Sequence, residues 1–370
     1  MAPSASGGSF ITEHVSVYLD AVRVIAALAV LISHAEMDGS QAAWLVIGGF
    51  SHEAVIIFFV LSGLVIAHTT ARGAGALQHY VVARTARIYS VVLPAIVLSF
   101  AVKGSVALFD PTIAAEFRAK DWRWQNLVSS VLFLNESWGS TAEVPWNNPF
   151  WSLCYEAWYY VIFGVAVFAD GWRRSVLLLL AMLAAGPGIM LLMPVWLLGV
   201  GLARHGHRLI PGRIGAALMF VVGAGGVILI NQSGLPNLVQ HALYLEVPGF
   251  WRLRSSQRFL TDYLTGIFVA INFIGIRGMS GFRFPACPLA VKSVRWLSGY
   301  TFSLYLFHRP FTKLIGLVFP NVSSSRPVAI VTIVAVALAC IAVGTQTEAR
   351  RREARALVWK LLFLGRRPAG

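Results

Sequence analysis

The stretch that decides the fold is residues 46–68, VIGGFSHEAVIIFFVLSGLVIAH, in which no charged residue follows Glu53. A helix that crosses a bilayer needs about 20 mainly apolar residues, and this run is long enough. Comparable runs recur along the chain, at about 17–35, 46–68, 81–102, 149–169, 175–190, 191–204, 213–231, 259–276, 296–319 and 327–344. They predict an all-α, polytopic bundle of about ten transmembrane helices.

The composition of the 370-residue chain excludes an ordinary soluble domain. Hydrophobic residues make up 57% and charged residues 12%, against about 45–50% and about 25% in soluble domains. The net charge of +14 would suggest nucleic acid in a soluble protein, but no basic run is interleaved with exposed aromatic residues, so no nucleic-acid partner is expected. The cysteines stand far apart, at positions 154, 287 and 340, and predict neither a metal site nor a disulfide framework.

The distribution of Lys and Arg predicts the orientation. With the N-terminus inside, the inner segments hold 19 of these residues and the outer segments hold eight. Because inner loops carry the positive charge, both termini are predicted to be cytoplasmic, in a multi-pass protein of the inner cell membrane. The predicted parts are a disordered N-terminal tail 1–16, a transmembrane domain 17–345 and a basic cytoplasmic tail 346–370. Residues 346–360 should form a surface helix on the membrane lipids.

Two ionisable residues share one face of the first predicted helix. Arg23 and His34 are eleven residues apart, which returns a helix to within about 20° of the same direction. Ionisable groups within a span are usually functional. The alternative is that both side chains extend to the headgroups, with Asp20 pairing Arg23.

A pair of arginines opens the predicted helix 81–102. Arg84 and Arg87 lie one turn apart, and Arg72 precedes them. Arginine forks and a helix N-terminus both favour phosphate, so the pair predicts a site for the phosphates of a cytosolic cofactor. The orientation rule alone would also explain any single arginine here.

A carboxylate lies seven residues into the predicted helix 149–169. Glu156 has no place against lipid and must face a partner, water or substrate. Trp151, Tyr155 and Tyr159 flank it, a composition common where sugars or planar groups stack. A structural pair between Glu156 and an arginine is the competing explanation.

The predicted helix 296–319 contains His308 near its middle, followed by Arg309 and Pro310. Pro310 leaves a backbone carbonyl without its usual donor. The histidine is at least as consistent with a hydrogen-bonded bundle core as with catalysis.

These motifs, in this order, resemble integral-membrane acyltransferase family 3, over about residues 16–345. The features that match are Arg23-x10-His34, Phe-Phe-Val-Leu-Ser-Gly at 58–63, Arg84-x-x-Arg87-Ile-Tyr, Trp151-Ser-Leu-x-x-Glu156 and Ser-Leu-Tyr-Leu-Phe-His308. The chain departs from the family pattern at Ser90 and Gly164, where proline is common. The family comprises O-acyltransferases of glycans, nodulation factors, lipopolysaccharide and macrolides.

The resemblance implies a donor, an acceptor and residue roles. The donor would be an acyl-CoA, usually acetyl-CoA, and the acceptor a hydroxyl of a glycan or lipid-linked saccharide, with no metal. Arg84, Arg87 and Arg72 would hold the CoA phosphates on the inner face. His34 would be the general base, oriented by Glu156, with Arg23 neutralising charge. The acceptor would be bound by Trp151, Tyr155, Tyr159 and His308.

Three other interpretations stay open from the residues, one of which is a structural partner within a glycan-assembly complex. A proton-coupled transporter or flippase of a lipid-linked sugar would also line a cavity with Arg, His and Glu. The transporter interpretation would predict inverted repeats, which the sequence does not show. It also does not explain why Arg84 and Arg87 lie together at the start of a helix. A covalent acyl-histidine or acyl-serine relay is the second variant of the transfer reaction.

Overall fold

The computed structural model describes residues 9–37, 46–72, 77–279, 287–319 and 325–363. Every regular element in these ranges is a helix, and they contain no strand. The predicted all-α class is therefore confirmed. The α-helices are α1 (Glu13–Met37), α2 (Ser51–Arg72), α3 (Leu77–Ala107), α4 (Pro111–Glu116), α5 (Trp124–Val131), α6 (Trp151–Phe168), α7 (Gly171–Ala185), α8 (Pro187–His205), α9 (Arg213–Gln232), α10 (Leu235–Glu246), α11 (Phe259–Gly278), α12 (Pro288–Ser298), α13 (Thr301–Val318), α14 (Arg326–Gln346) and α15 (Arg351–Phe363).

Among the described residues, eight helical segments are long and apolar enough to cross a membrane, where the sequence predicted about ten. They contain α1, α2, α3, α6, α8, α9, α11 and α14. The other two predicted spans are helices as well. Helix α7 has 15 residues and ends at Gly186, whose φ of +84° breaks the helix before Pro187; at 1.5 Å per residue it is shorter than the hydrocarbon core of about 30 Å. Helix α13 carries His308, Arg309 and Lys313 within its 18 residues.

The two ends of the predicted transmembrane domain are helical beyond its predicted limits. Helix α1 begins at Glu13, four residues before the predicted start, and Phe10 is buried against Gly206. At the other end, α15 occupies much of the predicted basic tail. The orientation of the termini stays a prediction.

One compact unit comprises Met1–Ala26, Gly49–Ala74 and Met190–Ser298. Its helices approach closely through glycines: a Cβ at Gly63 of α2 would overlap the backbone carbonyl of Trp196, and one at Gly223 of α9 would overlap the backbone of α11. Small residues at such contacts let helices pack in a bilayer. Ser62 and Gly63, the last two residues of the Phe-Phe-Val-Leu-Ser-Gly motif, therefore lie at a packing contact with Trp196. A hydrogen bond of 2.7 Å between Nε2 of the half-buried His52 and the buried carboxylate of Asp262 joins α2 to α11.

The second unit comprises Ala27–Gly48, Gly75–Ile189 and Gly299–Gly370, with α3 packed against α6, α13 and α15. The segment that follows α3 is held by Lys103, which is 2% exposed. Its ammonium lies 2.5 Å from Asp121 and 3.0 Å from Glu116, and 5.6 Å from the ring of Trp146. A buried lysine needs such partners, because removing one leaves an uncompensated charge.

Candidate active site

Two histidines that are far apart in the sequence meet in the second unit. Nε2 of His308, on α13, lies 3.1 Å from Nδ1 of His34, on α1. The rings are 5.1 Å apart, His308 is fully buried and His34 is half-buried. The structure thus brings together the predicted base and the predicted acceptor-site histidine.

The hydrogen bonds of the pair determine which nitrogens carry protons when both rings are neutral. Nδ1 of His308 lies 2.9 Å from the Leu304 carbonyl, which can only accept, so Nδ1 carries the hydrogen and Nε2 of His308 is an acceptor. Nδ1 of His34 faces two acceptors, this Nε2 and the Val30 carbonyl at 2.9 Å, and therefore also carries its hydrogen. The basic lone pair of His34 is then on Nε2, the nitrogen that can take a proton from a substrate.

A buried arginine adjoins the pair. Arg309 follows His308 on α13, is 4% exposed, and its guanidinium lies 3.5 Å from the backbone oxygen of His34. From the sequence alone, Arg309 is recognisable only as a neighbour of His308. An arginine inside a predicted span was itself the signal that could have identified it.

Polar contacts join the start of α6 to α13, the helix that carries His308. The hydroxyl of Tyr305 lies 2.7 Å from the Ser152 hydroxyl and donates to the Pro149 carbonyl at 3.0 Å. The Tyr305 ring lies 6.5 Å from that of His308. These bonds fix the α13 turn that carries His308 against the start of α6.

The predicted arginine pair lies on α3, beside α6. The Arg84 guanidinium lies 5.8 Å from the ring of Tyr80 and 6.0 Å from that of Tyr160. Arg87 interacts electrostatically with Tyr160, Glu156 and Glu348. Tyr160 also donates a hydrogen bond to Glu156.

His34 and Glu156 each contact other polar groups. His34 is bonded to His308 and to the Val30 carbonyl, while Glu156 is bonded by Tyr160 and attracts Arg87. The attraction to Arg87 agrees with the competing explanation, a pair between Glu156 and an arginine, and the orienting role of Glu156 stays a prediction.

A buried carboxylate that the sequence analysis did not identify joins this region. Glu348 is 3% exposed and accepts hydrogen bonds from the backbone N–H of Ser303 at 2.9 Å and from its hydroxyl at 2.8 Å. It is also bonded by Arg351. Its only sequence signal was an acid among many arginines, which a solvated tail would also show.

A cavity of about 410 Å³ opens beside the arginine pair, between α3, α6 and the end of α5. Its wall is largely aromatic and aliphatic, and Arg84 is the one charged residue among the described residues that line it. The lining also includes Tyr89, Phe133, Trp158 and Tyr160.

Three other predicted residues have hydrogen bonds or ion pairs of their own. Arg23, in the first unit, pairs with Asp20 at 3.1 Å. Tyr155 and Tyr159 are fully buried, and their hydroxyls donate to Glu136 at 3.4 Å and to the Ile189 carbonyl at 2.9 Å. Their role in acceptor binding stays a prediction.

Two further points complete the comparison with the predicted site. Trp151 is half-buried and lies 5.3 Å from the Tyr155 ring. The side chain of Arg72 lies outside the described residues. Within the described ranges, no group of three or more His, Cys, Asp or Glu could hold a metal ion.

A set of helices able to cross a membrane, with a histidine pair and an arginine pair, defines a polytopic membrane protein equipped for acid–base chemistry. The model of the acyltransferase 3 family, described as an acyltransferase domain, matches residues 16–345. The chain belongs to this family and is a multi-pass membrane acyltransferase, as the motifs predicted. Comparison with curated proteins and with solved structures gives no significant match.

Proposed function

We propose that this protein transfers an acyl group, most simply acetyl, from cytoplasmic acyl-CoA to a hydroxyl of a glycan or lipid-linked saccharide at the inner cell membrane. The observation that carries the proposal is the contact of 3.1 Å between His34 and His308. Transfer to a hydroxyl needs a base whose proton-accepting nitrogen is held in a defined direction, and this pair supplies one.

The residues divide the work as follows. Acyl-CoA supplies the thioester carbonyl and the thiol leaving group. Nε2 of His34 accepts the proton of the acceptor hydroxyl while the acceptor oxygen bonds to the carbonyl carbon. Arg309 offers positive charge to the carbonyl oxygen, which gains negative charge during transfer. As the carbon–sulfur bond breaks, the protonated His34 returns its proton to the departing sulfur.

The donor would be held by Arg84 and Arg87. Both lie on the N-terminal half of α3, and guanidinium groups bind phosphate oxygens through paired N–H donors. The aromatic rings of Tyr80 and Tyr160 under Arg84 fix the direction of its planar fork. This arrangement fits the phosphates of CoA.

The test is acyl transfer by the purified full-length protein in nanodiscs. Radiolabelled acetyl-CoA is supplied with a panel of lipid-linked saccharides, and both the labelled product and free CoA are measured. We expect one CoA released for each acetyl group transferred. If the acceptor crosses the bilayer with no CoA release, the proposal fails and the protein is a flippase.

A further inference from the structure

Helix α13 contains a proline two residues after His308. Pro310 has no N–H, and its ring crowds the backbone carbonyl four residues earlier, which is that of Leu306. The chain is nevertheless helical on both sides of Pro310, from Thr301 to Val318. Because Leu306 is fully buried, its carbonyl needs a hydrogen-bond donor that Pro310 does not provide.

The side chain of Asn147 provides this donor. Nδ2 of Asn147 lies 3.0 Å from the carbonyl oxygen of Leu306 and 3.2 Å from the hydroxyl of Ser99 on α3. Since a carbonyl can only accept, the atom that faces Leu306 must be the amide nitrogen. The two N–H groups of one amide therefore join α13 to α3.

The oxygen of the same amide indicates that stability alone does not explain an asparagine at this position. Asn147 is 1% exposed, and its Oδ1 has no hydrogen-bond donor among the residues that the structure describes. An unpaired buried acceptor is unfavourable. An apolar side chain of similar size would avoid this cost and would lose only the two bonds from Nδ2. Those two bonds are therefore what Asn147 contributes.

The segment that begins with Asn147 holds two successive residues of the turn that carries His308. Asn147 donates to the carbonyl of Leu306, and the carbonyl of Pro149 accepts from the hydroxyl of Tyr305 at 3.0 Å. His308 comes two residues after Leu306 on the same helix. The position of the His308 ring therefore depends on both bonds.

We propose that Asn147 is a positioning residue of acyl transfer, which replaces the N–H that Pro310 lacks and so holds His308 at His34. The inference rests on the proposed function, in which His34 is the base. Nε2 of His308 lies 3.1 Å from Nδ1 of His34, and a hydrogen bond of this length weakens when its atoms move apart by a few tenths of an ångström. Losing the donor at Leu306 should let the turn move and misdirect the base.

The experiment measures acyl transfer by the full-length protein in nanodiscs, with labelled acetyl-CoA and the lipid-linked saccharide of the panel above that gives the highest turnover. Asn147→Leu removes both N–H groups at similar volume. We expect kcat per folded molecule to fall by about 2- to 12-fold, as for the loss of one hydrogen bond, with KM for acetyl-CoA unchanged. Asn147→Ala, which removes the same groups and cannot crowd its neighbours, should give the same kcat.

A second-site change tests whether the effect passes through the carbonyl of Leu306. Pro310→Ala restores a backbone N–H that can donate to this carbonyl as in any α-helix. In the Pro310→Ala protein, we therefore expect Asn147→Leu to lower kcat by less than about 1.5-fold.

Asn135→Leu is the matched control. Asn135 is 3% exposed, and its Nδ2 bonds the Ser130 hydroxyl at 3.1 Å and the Ala142 carbonyl at 3.2 Å, so neither bond reaches α13. We expect kcat per folded molecule within about 1.5-fold of the wild type, because the turn of α13 keeps its donor. The thermal unfolding temperature of every variant is measured alongside, so that a loss of folding is not counted as a loss of rate.

Two results would overturn the inference. One is the same kcat for Asn147→Leu and Asn135→Leu. The other is an equal loss from Asn147→Leu with and without Pro310→Ala, because the effect would then not depend on the Leu306 carbonyl. In either case the proposed function survives if His34→Ala no longer transfers the acetyl group. It fails instead if His34→Ala transfers at the wild-type rate.

Discussion

The hydrogen bond between the two histidines predicts that His308 acts through His34. In the neutral pair, His34 donates from Nδ1 to Nε2 of His308 at 3.1 Å, which aims the basic Nε2 of His34. Replacing His308 by Ala removes this acceptor. Nδ1 of His34 keeps the Val30 carbonyl at 2.9 Å, so the loss is that of one hydrogen bond, about 0.5–1.5 kcal/mol, and each 1.4 kcal/mol corresponds to about tenfold in rate. We therefore expect kcat to fall by about 2- to 12-fold.

The conservative variant His308→Gln separates the effect of orienting His34 from the effect of filling the buried site of His308. In His308→Gln the side-chain oxygen can still accept from His34, so we expect kcat within about twofold of the wild type. His308→Ala also empties a fully buried site and should unfold at lower temperature. Activity is therefore calculated per folded molecule, after size-exclusion chromatography. The affinity for acyl-CoA should not change in either variant.

The assay is steady-state acyl transfer with both substrates varied, which separates kcat from KM. A kcat for His308→Ala within twofold of the wild type would refute the orienting role. If kcat of His308→Gln is as low as that of His308→Ala, the hydrogen-bond explanation is refuted, because only changes in packing and volume could then explain the slower transfer.

Three further predictions test the donor site, the orientation and the packing. Replacing Arg84 and Arg87 together by Ala should weaken acyl-CoA binding by about tenfold to a hundredfold in detergent, whereas unchanged affinity would exclude this site. A cysteine at Ser323, between α13 and α14 in the sequence, should react with an impermeant thiol reagent in intact cells, and labelling only after lysis would reverse the orientation. Gly63→Leu should lower the thermal unfolding temperature by forcing α2 from α8, with a loss of about 1–3 kcal/mol, whereas Gly201→Ala, which has open space at its Cβ, should not.

The helices could be predicted because each carries its own signal. A run of apolar residues must be helical in a membrane, since no water is present to satisfy the backbone. Two predicted spans, α7 and α13, are not among the eight helical segments that could cross a membrane, and the reasons are local. Gly186 and Pro187 divide one apolar stretch, which leaves α7 with 15 residues, and the charges of α13 lower its hydropathy.

The sequence identified several residues of the candidate site but not the contacts between them. His34, Glu156, Arg87 and His308 were each identifiable because an ionisable group within a span is costly. Their partners depend on how the helices pack, and no spacing along the chain encodes that packing. His34 and His308 are 274 residues apart, and their spacing does not indicate that their side chains meet.

The arginines of α15 show a different limit. Arg351 and Arg355 stand in a segment with many basic residues, which is typical of a surface helix on the inner leaflet. The packing of α15 on α3 and the bond from Arg351 to Glu348 depend on the tertiary structure, so the basic composition of the segment does not predict them.

The central claim is that His34 is the general base of acyl transfer, and single-turnover kinetics of His34→Ala test it most directly. The reaction is started with the protein saturated by labelled acyl-CoA, and His205→Ala, which changes an exposed histidine, serves as the control. We predict that His34→Ala binds acyl-CoA as the wild type does and transfers the acyl group about 10²- to 10⁴-fold more slowly, with the control unchanged. Transfer by His34→Ala at the wild-type rate would contradict the claim.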